Sequence, residues 1–429
     1  MKKSLHLLLA SGLALLALQA CSDNNPTAVD ALSSSDSLIS SSGTQDLSSS
    51  STTPSPTAWY TIPANHPKIN VIGRYDNTVP TALVSAWSGS AWEIRFNGTS
   101  AKILLEGQGS VFNVFVDSDT VPTSVLDLST SQATEHLLAE NLSAGTHTIK
   151  VFKRTEAQYG NATFMGFQIY GDSNLVEIPA LTRKIEFVGN SITCGYGNLD
   201  SVKEHSFDIL TEDHFFTYVA RSARAVNADF HSVCFSGRGV YRSNIGNMDD
   251  NLPQLFNLVS PNTGITWDFS RWTPDVVTVN LGTNDFYQGI PDSVGFVQAT
   301  IQFVKDIRGH YPLAKILILD GPMLSDYYPT ASEADVASFP TNPAKGYPSD
   351  YFIKATNGTY TFKSQTVCKR YLNAAKEALA TEGEVNVARF SFPAQSASLG
   401  YGADWHPSFA LHAKMAELLT GWIQTQMGW

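Results

Sequence analysis

Four residue types at four places in this 429-residue chain could together do acyl-transfer chemistry. Ser191 can attack a carbonyl, and His406 can take its proton because an imidazole titrates near neutrality. The oxyanion formed in that attack needs fixed donors, and the Ser191 N–H, an N–H of Gly237 and the Asn284 side chain can supply them. Each has an ordinary alternative: Ser191 in a common loop, Gly237 as a backbone hinge, Asn284 as a turn former, His406 as a helix-start histidine. Their joint occurrence, in this order at successive element ends, argues for chemistry.

The elements that must hold these residues follow from hydrophobic pattern. Ile185, Phe187 and Val188 form an apolar run that stops at Gly189-Asn190-Ser191. A run of this kind reads as a buried parallel strand, and the glycine permits a sharp turn at its carboxyl end. Thr193, two residues after Ser191, breaks G-x-S-x-G and argues against a nucleophile elbow of the α/β-hydrolase kind. Further strands are expected at Ala228 to Phe235, Asp275 to Leu281, Lys315 to Asp320 and Val385 to Phe390. Helices are expected at His214 to Asn227, Val294 to Ile307, Val367 to Ala380 and Pro407 to Met427. In the first, Phe215, Val219 and Val226 face inward. Alternation of strand and helix means a doubly wound parallel sheet over 179–429, with the ligand site outside the carboxyl ends of its strands. The stretch Met323 to Gln365, rich in Tyr, Pro, Ser and Asp, lies outside this scheme; its length suits a lid, a substrate loop or a small insertion.

Residues 58–178 have a different rhythm. Short alternating segments recur every 8–12 residues without a helical period, which suggests an antiparallel β-sandwich. Strands are expected at Trp92 to Phe96, Lys102 to Leu105, Val111 to Val116, His147 to Phe152 and Phe164 to Tyr170, with a turn at Asn97-Gly98. Arg74, Trp87 and Trp92 could line a sugar-binding surface, but framework roles suit them better.

The N-terminal 57 residues are of another kind. Residues 1–20 combine Lys2 and Lys3 with an apolar core and read as a secretory signal. The small residue before Cys21 resembles a bacterial lipobox, which implies lipidation of Cys21 and an outer-membrane or cell-surface lipoprotein, the alternative being simple secretion. Residues 21–57 are serine-rich with few large apolar groups and are expected to act as a flexible spacer.

Composition narrows the partners. The formal net charge of −11 and the lack of a basic patch with interleaved aromatics argue against nucleic acid. Membrane association is expected only through the lipid anchor. Four cysteines leave three after Cys21; Cys194 and Cys234 lie near neighbouring strand ends, where either a bridge or buried thiols would fit. No C-x-x-C, Cys/His cluster or H-E-x-x-H suggests a metal site, and no cofactor is expected.

Gly189-Asn190-Ser191-Ile192-Thr193, the Gly237 loop, Gly282-Thr283-Asn284-Asp285 and Asp404-Trp405-His406-Pro407 resemble the blocks of the SGNH-hydrolase superfamily. WSGSAWEIRFNGTS (87–100), FKRTE (152–156) and GNSITCGYG (189–197) are similar to carbohydrate esterase family 2, across essentially all of 70–429. The resemblance implies an all-β jelly-roll domain followed by a flavodoxin-like α/β SGNH domain. It also implies removal of acetyl groups from plant polysaccharides such as xylan and glucomannan. It carries Ser191 over as nucleophile, His406 as base, and Gly237 with Asn284 as oxyanion donors, Gly239 being an alternative to Gly237. The superfamily pattern Asp-x-x-His is not met: Ala403 stands three before His406, and Asp404 only two before it. Two residues apart on an extended loop, Asp404 and His406 would share a side and could touch. Against that triad stands a Ser191–His406 dyad of the kind some family 2 members use, with a main-chain carbonyl orienting the imidazole. Trp405 and Tyr241 are expected to offer stacking faces to sugar. Another SGNH esterase or lipase, or a carbohydrate-binding protein, are the rival readings.

Overall fold

The computed structural model describes residues 58–429, which belong to one unit. The signal, Cys21 and spacer expectations lie outside the described residues.

The N-terminal part is a nine-stranded antiparallel assembly built on two long strands, Ala91–Glu106 and Ala162–Val176. Alternation along Ala91–Glu106 sends Trp92, Ile94, Phe96, Ile103 and Leu105 into the core. Asn97-Gly98 does not turn the chain, contrary to the sequence expectation. The strand runs through it with a register shift, because Gly98 lies against the Tyr170 carbonyl and Gly171, where a β-carbon would not fit. A glycine inside a strand can thus mark close backbone approach rather than a hairpin. Trp87, Trp92 and Arg74 are fully buried, so none of them lines a surface. Arg74 pairs with Glu186 (2.8 Å) on the first strand of the second part, and its guanidinium lies against Phe256, Trp267 and Phe269. A buried pair of this kind ties the two parts together.

The C-terminal part is a five-stranded, all-parallel sheet. Its spatial order is Ala228–Cys234, Arg183–Gly189, Val276–Asn280, Lys315–Asp320, Val387–Ser391. In chain order that is 2-1-3-4-5, the flavodoxin-like arrangement, whose switch point falls at the first strand. Helices Tyr218–Ala225 and Phe409–Met427 cover one face, and Ser293–His310 and Ser364–Thr381 pack together beside the other. The helix expected from His214 is divided at Thr217. Asp213 caps a short 3₁₀ turn, His214–Phe216, and the extended Thr217 bonds back to the His214 carbonyl before the α-helix starts at Tyr218. The expected inward residues Phe215, Val219 and Val226 are all buried. The stretch Met323–Gln365 contains a three-stranded antiparallel sheet, Thr330–Ala331, Tyr360–Phe362, Phe352–Lys354, and one short helix, Glu333–Ala337.

Candidate active site

The strand Arg183–Gly189 ends against the helix Ser191–Cys194 with no intervening loop beyond Asn190. Gly189 is required there. A β-carbon would collide with the Thr193 side chain, whose hydroxyl lies 2.8 Å from Tyr218 Oη. Asn190 caps the short helix by accepting from the Ile192 N–H at 3.1 Å. Ser191 is thereby fixed at the first helical position. Behind it, Cys194 and Cys234 are bridged, with Cα atoms 5.5 Å apart, joining the Ser191 turn to the end of the neighbouring strand.

His406 arrives from the other end of the sheet's rim. Its Nε2 lies 2.8 Å from Ser191 Oγ. Its Nδ1 lies 3.2 Å from the carbonyl oxygens of Ala403 and of Asp404, so the Nδ1–H tautomer donates to main chain and leaves Nε2 free to accept from the serine. The Asp404 carboxylate points elsewhere. Asp404 adopts a left-handed conformation (φ 47°), not the extended one that would place it beside His406. Its Oδ2 accepts from Tyr196 Oη (2.7 Å) and the Phe207 N–H (3.2 Å). Tyr196 in turn stacks on the imidazole, with centroids 4.2 Å apart and 27° between planes. Burial pushes the His406 pKa down to about 4, against the opposing pull of the two carbonyls and of Asp404. At neutral pH the ring is therefore neutral and able to act as a base.

That shift has a kinetic consequence. A protonated His406 cannot accept from Ser191, so kcat/KM of any ester hydrolysis that runs through this pair should stay level from neutral pH down to about 5 and fall only as pH approaches 4. A pH profile measured over the range in which circular dichroism shows the fold intact tests this. An acid limb near 6.5, the ordinary imidazole value, would contradict the shift.

The Gly237 loop follows the strand Ala228–Cys234. Gly237 has φ +78°, a conformation that favours glycine, and is partly exposed. Gly239 is buried and lies against the Asp285 carboxylate and the Arg242 carbonyl, which leaves no room for a β-carbon. Its own carbonyl accepts from the Leu252 N–H. Gly239 is thus held by framework contacts, and Gly237 is the glycine at the open side of the loop. The Asn284 side chain reaches this loop, donating from Nδ2 to the Arg238 carbonyl at 2.8 Å. Asp285 organises the same loop from beneath. Its carboxylate accepts from the N–H groups of Val240 (3.1 Å), Tyr241 (2.7 Å) and Arg242 (2.9 Å).

Trp405 and Tyr241 differ. Trp405 is 49% exposed, in a left-handed conformation (φ 62°), with Lys203 Nζ 4.1 Å above its ring. The Tyr241 ring tip lies against Gly295 at the start of the helix Ser293–His310 and packs on the core. Trp405, beside His406, is 49% exposed although Lys203 and Tyr401 already lie against its ring, and Tyr241 packs on the core instead of presenting the expected open stacking face. Sequence reasoning passed over Tyr196, Phe207 and Asp285. Asp285 follows Asn284 directly, and a lone acid after a glycine turn is the one signal that could have marked it as a loop anchor.

Comparison with known proteins gives a consistent picture. Residues 187–414 match the GDSL-like Lipase/Acylhydrolase family, and residues 71–179 match the Carbohydrate esterase 2 N-terminal family. The chain is 34% identical over 367 residues to the cellulase/esterase CelE of Acetivibrio thermocellus, covering 85% of this chain and 40% of that protein. It is 29% identical over 293 residues to an acetylxylan esterase / glucomannan deacetylase of Cellvibrio japonicus, covering 67% of this chain and 78% of the relative. Among solved structures, a family two carbohydrate esterase from Clostridium thermocellum, in complex with cellohexaose, superposes with a TM-score of 0.71. It has 34% identity and covers 84% of this chain and 99% of the other.

Proposed function

Because this chain belongs to carbohydrate esterase family 2, we propose that it is a carbohydrate O-acetyl esterase that removes acetyl groups from plant cell-wall polysaccharides such as xylan and glucomannan. The observation that carries the chemistry is the 2.8 Å contact between Ser191 Oγ and His406 Nε2 at the rim of the sheet. In the proposed reaction, Ser191 attacks the acetyl carbonyl while His406 takes its proton. The Ser191 N–H, the Gly237 N–H and the second Asn284 amide hydrogen hold the oxyanion. His406 then gives the proton to the departing sugar oxygen, which leaves as a hydroxyl, and water activated by His406 releases acetate from Ser191. The carbonyls of Ala403 and Asp404 hold the imidazole tautomer without a carboxylate partner, so the working unit is a dyad. Asp404 shapes the His406 loop through Tyr196 and Phe207.

Trp405 is proposed to stack on the sugar that carries the acetyl group. Its replacement by Ala should weaken turnover of acetylated polysaccharide by about tenfold, while an aryl acetate, which needs no stacking, loses much less. Equal losses on both substrates would make Trp405 packing for His406. Asn284→Ala should lower kcat by about 10²–10³-fold with KM little changed. A change confined to KM would place Asn284 in substrate binding.

Acetate release measured side by side on acetylated xylan, acetylated glucomannan and long-chain fatty esters tests the function. Release from the polysaccharides with little turnover of the fatty esters is expected. The reverse order would favour a lipase. Before residue 58, the lipobox-like residues around Cys21 and the serine-rich stretch support a tethered, exported protein. Loss of membrane association in a Cys21→Ala full-length chain checks that.

A further inference from the structure

One loop of the N-terminal β-rich part, residues 153–160, reaches both halves of the site. Glu156 is completely buried, and its carboxylate grips Ser236 twice: Oε2 accepts from the Ser236 N–H at 2.7 Å and Oε1 from the Ser236 hydroxyl at 2.5 Å. Ser236 immediately precedes Gly237. The grip on Ser236 is itself braced. The Glu156 N–H donates to Glu212 Oε2 at 3.0 Å, and Lys153 Nζ donates to the carbonyls of Thr155 (2.6 Å) and Glu156 (3.2 Å). Arg154 donates to the carbonyls of Glu212 (3.1 Å) and Leu210 (2.8 Å), fastening the loop to the segment before His214. Three residues after Glu156, Tyr159 stacks on Phe207 (5.2 Å, 4°), which packs on Tyr196 (4.4 Å), the ring that lies on His406.

We propose that Glu156 is a positioning residue for the oxyanion loop, so that the esterase site is completed by a side chain from outside its catalytic domain. The inference rests on the reading of Ser191 as nucleophile with Gly237 as an oxyanion donor. The physical reason is that a glycine at φ +78° does not hold its own N–H direction. The direction must come from neighbours. On one side Asn244 N–H bonds to the Gly237 carbonyl at 2.8 Å, and on the other Ser236 is held at both backbone and hydroxyl by one rigid, buried carboxylate. The bridged Cys234, two residues earlier, fixes the loop's start relative to Ser191. Preorganised donors contribute because they do not reorganise during reaction, and a displacement near 1 Å costs about 10²-fold in rate.

Steady-state kinetics on an aryl acetate decide the matter, with wild type, Glu156→Ala, Glu156→Gln, Ser236→Ala and Ser191→Ala measured together. Glu156→Ala should lower kcat by about 10²-fold with KM nearly unchanged, whereas Glu156→Gln, which keeps a carbonyl oxygen for the Ser236 N–H, should recover most of it. Ser236→Ala, which removes only the hydroxyl contact, should lose several-fold in kcat. A Glu156→Ala protein that turns over within about threefold of wild type, or one that loses only in KM, overturns the positioning role. If Glu156→Ala does not fold, Ser236→Ala decides, and an unchanged kcat there overturns it equally. An active wild type with an inert Ser191→Ala leaves the esterase reading intact whichever way Glu156 falls. A wild-type chain without acetate release overturns both.

Discussion

Ser191→Ala is expected to lower acetate release by about 10⁵–10⁶-fold while leaving the fold unchanged, the scale on which removal of a serine nucleophile acts. The fold should survive because the serine hydroxyl points at His406 and supports no other contact in the site, whereas its helix is capped by Asn190 at the start and Gly195 at the end. The residual rate should match that of oxyanion stabilisation and binding alone. Acetate assays at high enzyme concentration, with far-UV circular dichroism as control, measure the effect. Retention of more than about one hundredth of the wild-type rate would remove Ser191 from the nucleophile's role.

His406→Ala should fall by a similar factor, and Asp404→Ala by far less. In a Ser-His-Asp triad, loss of the acid's charge costs about 10⁴-fold, because the carboxylate fixes the tautomer and stabilises the imidazolium. Here two main-chain carbonyls face Nδ1, and the carboxylate of Asp404 is engaged by Tyr196 and Phe207. Asp404→Ala removes a loop fastening, not a charge partner in contact with the ring, so a loss of about tenfold to fiftyfold in kcat is expected from a less well placed imidazole. Tyr196→Phe, which deletes the same hydrogen bond but keeps the stack on His406, should produce a smaller loss still. A fall of about 10⁴-fold in Asp404→Ala, with its fold intact, would make the acid a third catalytic member.

The parallel-sheet part was readable because its strands are apolar runs that stop at polar, glycine-bearing turns. The runs ending at Gly189, at the turn before Gly237 and at Leu281 announce both a strand and the edge at which a site forms. What the pattern does not carry is conformation within a turn. Asp404 and His406 are two residues apart, and alternation alone puts them on one side. A left-handed Asp404 sends the carboxylate to Tyr196 instead. Asn97-Gly98 has the letters of a hairpin turn, yet the space that demands glycine there is set by Tyr170 and Gly171, more than seventy residues away in the chain. Tyr241 sits next to the Gly237 loop in sequence, but its ring tip lies against Gly295.

Glu156 and Asp285 show the same limit from the other direction. Both close short family blocks, FKRTE and Gly282-Thr283-Asn284-Asp285, that mark a resemblance without showing what the acid binds, and both hold the Gly237 loop through backbone N–H groups. A carboxylate that binds main chain leaves no partner residue type to search for. The cross-domain link is likewise silent in the sequence. Arg74 and Glu186 lie in different parts of the chain, and only the fold shows that they meet, fully buried, at 2.8 Å.

The central claim is that acetyl transfer passes through Ser191, with His406 as its base. Rapid-quench peptide mass spectrometry during turnover of an aryl acetate tests it most directly, since a good leaving group makes breakdown of the acyl-enzyme the slow step. The account predicts one acetyl group on the peptide that contains Ser191, appearing in the first turnover, lost as acetate accumulates, and absent in Ser191→Ala. An acetyl group trapped on a different residue, or wild-type acetate release by the Ser191→Ala protein, would contradict it.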